Sequence, residues 1–430
     1  MEKNNKSVLT AWTMYDWANS VYSLSISSAI FPTFYESFTP KHIEFMGYDF
    51  KNTALYSYCL SLAFLINVIL VPLLSGISDA SGAKKPFMRF LVILGSIGCS
   101  SLFFFNGDNY LFGLGCFMVA TLGWAGSLVF YNAFLPEIAT ADRFDRLSAR
   151  GFTMGYIGSV LMLIFNLLLL IKHDWFGLPS PKESVLPFQV GFLTVGIWWL
   201  AWSFWPLIKL PGKLAAKSKT SIWSGYHEIR KVFNEVKHMK AVKIFLGAFF
   251  VYTMGVQTVI YVAALFGKDV LLLKSEEMLT TILLIQLIGI AGAYFFAYLA
   301  DKIGNKPAIF ISLIIWTIAC SLAFKLQPRH PGQFFALACL IGTVMGGIQS
   351  LSRATYAKLI PGDRDNTSYF SFFEVTEKLG IVLGTFAWAA IDNITGDMRN
   401  SILSLMVFFF VGMTILYFLP SDKLKPAHKQ

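Results

Sequence analysis

The chain of 430 residues is 55% hydrophobic and only 14% charged, whereas an average soluble protein is about 25% charged. Its apolar residues number about 236, close to the about 240 that twelve membrane helices of about 20 residues would need. This composition argues against a soluble globular protein, and the 41 Phe and 11 Trp exclude a disordered chain. The net charge of +10 does not indicate a nucleic-acid partner, because its location matters more than its size.

Charged residues, Gly and Pro divide the chain into twelve predicted membrane spans, so we expect an all-α membrane protein. Five cysteines fall inside these apolar runs without any CxxC pair, which favours inert buried thiols over disulfides or zinc. We expect no metal and no cofactor. The predicted spans cover 11–35, 53–77, 87–105, 110–135, 151–171, 187–208, 241–266, 278–300, 307–324, 334–358, 369–391 and 400–419.

Lys and Arg are unevenly divided between the two sides of these spans. The connecting segments on the side of the N-terminus, together with the ends of the spans that adjoin them, hold 25 of them, and those on the other side hold nine. Because cytoplasmic loops carry the excess of basic residues, we expect both termini in the cytoplasm.

The longest segment on that side, 209–240, separates two predicted six-helix halves, 1–208 and 241–430. Its apolar residues recur at helical spacing between basic ones, which predicts an amphipathic helix on the inner membrane surface or a plain tether. These apolar residues are Trp223, Tyr226, Ile229, Phe233 and Val236.

The two halves echo each other in sequence. The turn from Asp79 to Lys85 and the turn from Asp301 to Lys306 share a D-x-x-G pattern followed by basic residues, at an offset of 222. Three further pairs match at nearly the same offset. We therefore predict two parallel six-helix repeats with a substrate site between them. The further pairs are Tyr131 to Pro136 with Tyr356 to Pro361, Asp142-Arg143 with Asp363-Arg364, and Gly158 with Gly380.

The chain resembles the major facilitator superfamily in these two turns, and more narrowly its branch of vacuole effluxers, which includes autophagy-related amino-acid effluxers. The resemblance implies a twelve-helix fold in two pseudo-symmetric halves, transport by alternating access, and amino acids as substrates. The residues that carry the narrower resemblance are Tyr15 to Ser20, Tyr131 to Pro136, Arg150 to Phe152, Gly155 to Gly158, Gly255 to Thr258, Gly346 to Arg353, Leu359 to Pro361 and Lys378.

The resemblance also implies that the two turns form a gate that closes the cytoplasmic side through charge contacts with neighbouring helix ends. An ordinary helix cap or turn is the alternative, and capping and gating are compatible. The predicted gating residues are Asp79, Gly82, Lys84, Lys85, Asp301, Gly304 and Lys306.

Asp16 lies about two turns inside the first predicted span. An ionisable group at that depth is costly and usually faces the bundle interior or a water-filled cavity. It could carry protons, bind a substrate amino group, or form a fixed hydrogen bond or ion pair near the cytoplasmic end. Tyr15 and Asn19 lie beside it in the sequence, and Asn19 shares its helix face.

Span eleven carries Glu374, Glu377 and Lys378. Glu374 and Lys378 are four residues apart in the favourable order for a helical ion pair, which would leave Glu377 without an obvious local partner. Glu377 is therefore the better candidate for a proton carrier. Arg353 could pair with one of these acids or bind a substrate carboxylate.

Uncharged polar residues also lie within the spans, where such side chains commonly bond across helices. Asn132, Gln257 and Gln349 are candidates for substrate contact because they fall in the family-like segments. Catalytic chemistry is not visible: there is no phosphate-binding G-x-x-x-x-G-K-[ST], and no His lies in a span.

The sequence thus predicts a monomeric secondary transporter, not an enzyme, that moves amino acids or short peptides, with protons as the driver. A nutrient receptor that does not transport, or a lipid flippase, are the alternatives. Short tails and compact loops favour a bacterial plasma membrane over a vacuole.

Overall fold

The computed structural model describes residues 2–45, 47–212, 222–362, 366–421 and 424. The second predicted Asp-Arg pair, Asp363-Arg364, lies outside the described residues, as does part of the basic linker, 213–221.

The first half is a continuous series of long helices joined by short turns. Its first membrane segment is one helical run over 6–38, in which a π-helical stretch, Tyr22–Ile30, joins α1 to α2. Its elements are α1 (Lys6–Val21), α2 (Phe31–Phe38), β1 (His42–Phe45), β2 (Tyr48–Lys51), α3 (Asn52–Ser81), α4 (Lys84–Ser101), α5 (Tyr110–Ala133), α6 (Leu135–Ile138), α7 (Phe144–Ile171) and α8 (Leu186–Lys209).

A linker helix precedes the second half, which repeats the pattern of long helices. α10 continues into a short π-helical stretch, Phe266–Val270. The elements are α9 (Ile222–His238), α10 (Lys240–Leu265), α11 (Ser275–Ile303), α12 (Asn305–Lys325), α13 (Pro331–Leu359), α14 (Thr367–Thr395) and α15 (Met398–Tyr417).

Ten of the described helical segments are long and apolar enough to cross a membrane. The run over 6–38 and α14, which carries three charged residues in mid-helix, complete the twelve-helix bundle. The predicted all-α class is confirmed for the bundle. The antiparallel hairpin β1–β2, in which His42 faces Lys51, was not predicted, because the segment is short and lies in a loop between spans.

Several helices begin or end beyond the predicted spans. α7, for example, begins at Phe144 rather than at 151. The reason is that hydropathy marks only the part of a helix inside the membrane, whereas backbone hydrogen bonds continue the helix into water.

Equivalent residues make equivalent contacts in the two halves. Lys85 Nζ donates to the carbonyl oxygens of Ile208 and Leu210 at 2.9 Å, at the end of α8. Lys306 Nζ donates to those of Tyr417 and Leu419 at 2.7 and 2.8 Å, at the end of α15. In both halves a lysine after the second span therefore binds the free carbonyls that end the sixth.

A tyrosine–serine pair repeats the same symmetry deeper in the bundle. Tyr15 bonds Ser127 between α1 and α5 at 2.6 Å, and Tyr252 bonds Ser352 between α10 and α13 at 2.7 Å. These matched contacts agree with two six-helix halves. The predicted domain limits, 1–208, 209–240 and 241–430, stay a prediction.

Candidate functional site

A cavity of about 230 Å³ lies between the halves and is lined by α1, α5, α7, α10, α11, α13 and α14. It contains nine of the ten residues that the sequence marked for substrate or proton handling. Tyr15 is the exception: it is fully buried and bonded to Ser127. The nine are Asp16, Asn19, Asn132, Gln257, Gln349, Arg353, Glu374, Glu377 and Lys378.

Asp16 and Arg353 form a buried ion pair between α1 of the first half and α13 of the second. Both Nη1 and Nη2 of Arg353 lie 3.2 Å from Asp16 Oδ2, and Tyr131 donates to the same oxygen at 2.7 Å. The side chains are only 7% and 4% exposed. Gly151 permits this approach, because a Cβ atom there would lie 2.3 Å from the carboxylate.

Arg353 uses its remaining donors as well. Its Nε and Nη2 donate to the hydroxyl and carbonyl oxygens of Ser148 at 2.9 Å, and its guanidinium carbon lies 4.3 Å from the centre of the Phe152 ring. The guanidinium therefore has no free edge for a substrate carboxylate in this conformation. Of the alternatives that the sequence left open for Arg353, this conformation shows pairing with an acid, and the acid is Asp16 rather than one of span eleven.

Lys378 holds both glutamates of α14. Its Nζ lies 3.1 Å from Glu374 Oε2 and 2.8 Å from Glu377 Oε2, and Gln257 donates to Glu377 Oε1 at 2.9 Å. The prediction that Glu377 would lack a partner was therefore wrong. Glu377 remains the most accessible of the three, with a side chain 20% exposed against 5% and 4%.

Asn132 connects the two charged clusters. Its Oδ1 accepts from Arg353 Nη1 at 3.3 Å, and its Nδ2 donates to Glu374 Oε1 at 2.7 Å. The orientation of the amide follows from its neighbours, because a guanidinium can only donate and a carboxylate can only accept. An asparagine of the first half thus joins two charged groups of the second half.

Two further polar residues face the cavity. Gln349 accepts from the Tyr156 hydroxyl at 2.9 Å, which is another contact between the halves. The Asn19 amide nitrogen is buried, and within the described part of the chain it has no hydrogen-bond acceptor. A buried donor of this kind favours a ligand that brings an acceptor.

Sequence reasoning missed several residues of the site. Tyr131 was noted only as part of a family-like motif, although its hydroxyl binds Asp16. Ser148 lies before the predicted span 151–171, and Phe152 and Tyr156 were noted only as parts of family-like segments. Their contribution to the site depends on which helix they face. The one signal in the sequence was the spacing of Gly151, Gly155 and Gly158, which indicated a close approach between helices.

At one end of the bundle the halves meet directly. This end, which we call the basic end, holds the start of α1, the Asp79 and Asp301 turns and α9. Asp79 accepts from the backbone N–H groups of Thr367 and Ser368, at 3.3 and 2.7 Å, at the start of α14.

Two further ion pairs cross between the halves here. Asp301 pairs with Arg146 at 2.7 Å, and Asp145 pairs with Lys358 at 2.5 Å. Together with Asp79 they join the two halves at the basic end.

The other predicted gating residues act within their own half. Lys84 bonds Glu137, and Lys85 and Lys306 bind helix ends, as described above. Gly82 and Gly304 supply the positive φ angles of the two turns, 67° and 91°, which glycine adopts most readily. A gating role for all seven residues stays a prediction.

The chain matches the family described as "Vacuole effluxer Atg22 like" over residues 4–429. It is 29% identical over 422 residues to the MFS-type transporter YxiO of Bacillus subtilis (strain 168), across 98% of this chain and 96% of that protein. It is 27% identical over 429 residues to autophagy-related protein 22 of Saccharomyces cerevisiae (strain ATCC 204508 / S288c), across 86% and 77%.

Among solved structures, that of the human organic anion transporter MFSD10 (TETRAN) matches with a TM-score of 0.73 at 12% identity, across 96% of this chain and 100% of that chain. Likeness at that identity shows the fold alone, which is the twelve-helix major facilitator fold. With the family match over nearly its whole length, the chain is a multi-pass integral membrane transporter of the major facilitator superfamily, and it belongs to the Atg22-like vacuole effluxer family.

Proposed function

We propose that this transporter moves amino acids or short peptides, coupled to protons, by alternating access. Its place would be the plasma membrane of a bacterium, with both termini in the cytoplasm. The excess of Lys and Arg at the basic end supports this orientation, and the bacterial relative YxiO supports the membrane. The observation that carries the proposed substrate class is the set of charged and amide side chains that converge on one cavity.

The charges of the cavity favour a substrate with a cationic group. Asp16 and Arg353 neutralise each other, whereas Glu374 and Glu377 share the single cation of Lys378. With all five groups ionised, the cavity holds one excess negative charge. A substrate ammonium group or a proton would balance it, and Glu377 is the acid most accessible to either.

The unpaired donor of Asn19 complements this charge. A substrate carboxylate or carbonyl oxygen would accept from its amide nitrogen, which lies in the same helix as Asp16. An amino acid or a short peptide supplies both features, an ammonium group and a carboxylate, in one small molecule.

The closed basic end supports alternating access. The contacts of Asp79, Asp301 and Asp145 block the cavity on that side, while the exposed Ser28 belongs to its lining on the other side. We infer that this conformation faces outward. Opening to the cytoplasm requires these contacts to separate.

Counterflow in proteoliposomes, with a labelled panel of amino acids and dipeptides and no imposed gradient, tests the substrate class. Exchange of one class is the expected result. No exchange from folded protein across the whole panel would contradict it, and binding without flux would favour a receptor.

Glu377→Gln tests the coupling. It should retain counterflow, which needs no driving force, and should lose accumulation driven by a proton gradient. Glu183→Gln, at an exposed loop, is the matched control and should retain both. Proton-driven accumulation that survives in Glu377→Gln would remove Glu377 as the proton carrier.

A further inference from the structure

The linker helix α9 is attached directly to the second half. The Met239 N–H donates to the carbonyl oxygens of Glu235 and Val236 at 3.1 Å, and α10 begins at the next residue, Lys240. Because α10 is a membrane span, α9 lies where that span leaves the bilayer.

One face of α9 packs on α3 of the first half. Gly225, Val232 and Val236 are buried, and a Cβ atom on Gly76 of α3 would lie 2.3 Å from the Gly225 carbonyl oxygen. This glycine-to-glycine contact sets the rotation of α9 about its axis. The predicted amphipathic helix is therefore present, and one of its five predicted apolar residues, Val236, lies on the buried face.

The three aromatic residues of the predicted apolar set are exposed, on the side of α9 next to its buried face. Trp223 is 72% exposed, Tyr226 46% and Phe233 53%. Arg230 and Lys237 are exposed and continue the same strip, because Tyr226, Arg230, Phe233 and Lys237 follow one another at spacings of four, three and four residues. We call these five residues the α9 strip.

We propose that the α9 strip is a binding site for anionic phospholipid headgroups in the leaflet at the basic end. Arg230 and Lys237 would bind the phosphates, and the three rings would lie at the boundary with the acyl chains. Trp and Tyr rings are enriched at the level of the headgroups, and basic residues on a helix at the membrane surface attract anionic lipids.

A bilayer fits the strip better than a protein partner does. The strip adjoins the membrane spans, since Phe233 contacts Phe372 of α14 with ring centres 6.2 Å apart. Its charge is positive, which complements an anionic headgroup. The other side of α9 provides an internal comparison, because Lys231 there is exposed and lies 3.1 Å from Glu228.

Native mass spectrometry of the full chain in neutral detergent, titrated with phosphatidylglycerol, tests this site. Arg230→Gln with Lys237→Gln should weaken binding about fivefold for each charge removed. Lys231→Gln is the matched control and should bind as the unchanged protein does. Phosphatidylcholine should bind more weakly than phosphatidylglycerol to the unchanged protein.

Unchanged affinity in the double variant, an equal loss in Lys231→Gln, or equal affinity for phosphatidylcholine would each overturn the proposal. Dimers that disappear in the double variant would also overturn it, because they would assign the strip to a second copy of the chain. All substitutions are at exposed positions, and unchanged melting temperatures would confirm folding. These outcomes do not depend on what the protein transports.

Discussion

Two ion pairs that join the halves, Asp16–Arg353 at the cavity and Asp301–Arg146 at the basic end, differ in their exposure to water, whereas the Asp145–Lys358 pair at the basic end is as buried as the first. The Asp16–Arg353 side chains are 7% and 4% exposed, whereas in the Asp301–Arg146 pair the arginine is 73% exposed. The charges are the same in kind. Buried ions lose their hydration and depend on partners within the protein, while an exposed arginine can turn to water at little cost.

The two aspartates at the basic end differ in a second way. Asp79 binds backbone N–H groups at the start of α14, and Asp301 binds a long side chain. The start of a helix is rigid and carries a partial positive charge, so it holds a carboxylate in one place. Equivalent positions in the repeat therefore make contacts of unequal strength.

The largest effect is expected for Arg353→Leu, which leaves the Asp16 carboxylate buried without its cation. The loss should be about 3–5 kcal/mol of stability, measured as a large fall in melting temperature in detergent. Adding Asp16→Asn should restore part of it. Arg143→Leu, at an arginine 53% exposed, is the control. Equal small losses in both single variants would show that the central pair contributes little.

Asn132→Leu should have the next largest effect. It removes the bonds to Arg353 and Glu374 together, and a hydrogen bond to a charged group contributes about 1.5–3 kcal/mol. A double-mutant cycle of Asp16→Asn with Glu374→Gln measures the coupling energy between the two charged clusters. The cycle is made once with Asn132 and once in the Asn132→Leu background. Coupling that persists without Asn132 would show that it does not link the clusters.

Asp79→Ala should have a moderate effect on stability, because it removes the acceptor for the N–H groups at the start of α14. The free energy of unfolding should fall by about 1 kcal/mol, as it does when a helix cap is lost. The substitution should also open the basic end. The measurement is the rate at which a membrane-impermeant maleimide modifies Ala149→Cys, a buried position between the halves, after the five native cysteines are replaced. Asp79→Asn should label at an intermediate rate, and unchanged labelling in both would contradict a gate.

Arg146→Gln should have the smallest effect on stability, within about 1 kcal/mol, because the arginine itself is largely exposed and its interaction with Asp301 is screened by salt. The same maleimide assay should show a small increase in rate that disappears at high salt. A larger increase than in Asp79→Ala would reverse the ranking of the two turns.

The repeat in the sequence predicted much of the basic end. Its constant offset identified the two turns, and Lys85 and Lys306 do make the same contacts. It did not predict that Asp79 and Asp301 would bind different groups. A repeat in the sequence preserves the conformation of each turn. A contact between the halves also depends on the group that the other half places next to the turn. That group is a pair of backbone N–H donors at the start of α14 for Asp79, and the Arg146 side chain for Asp301.

By itself the sequence determined the twelve spans, the two halves and the depth of the charged residues. These follow from hydropathy and local spacing, because each residue is transferred into the membrane with its own cost. Only the tertiary structure decided the partners between the halves, whereas the Glu374–Lys378 pair within α14 follows from local spacing. Asp16 and Arg353 are 337 residues apart, and Asn132 and Glu374 are 242 apart. No local pattern encodes such pairs, since they arise only when the packing of two helix bundles brings their buried charges face to face.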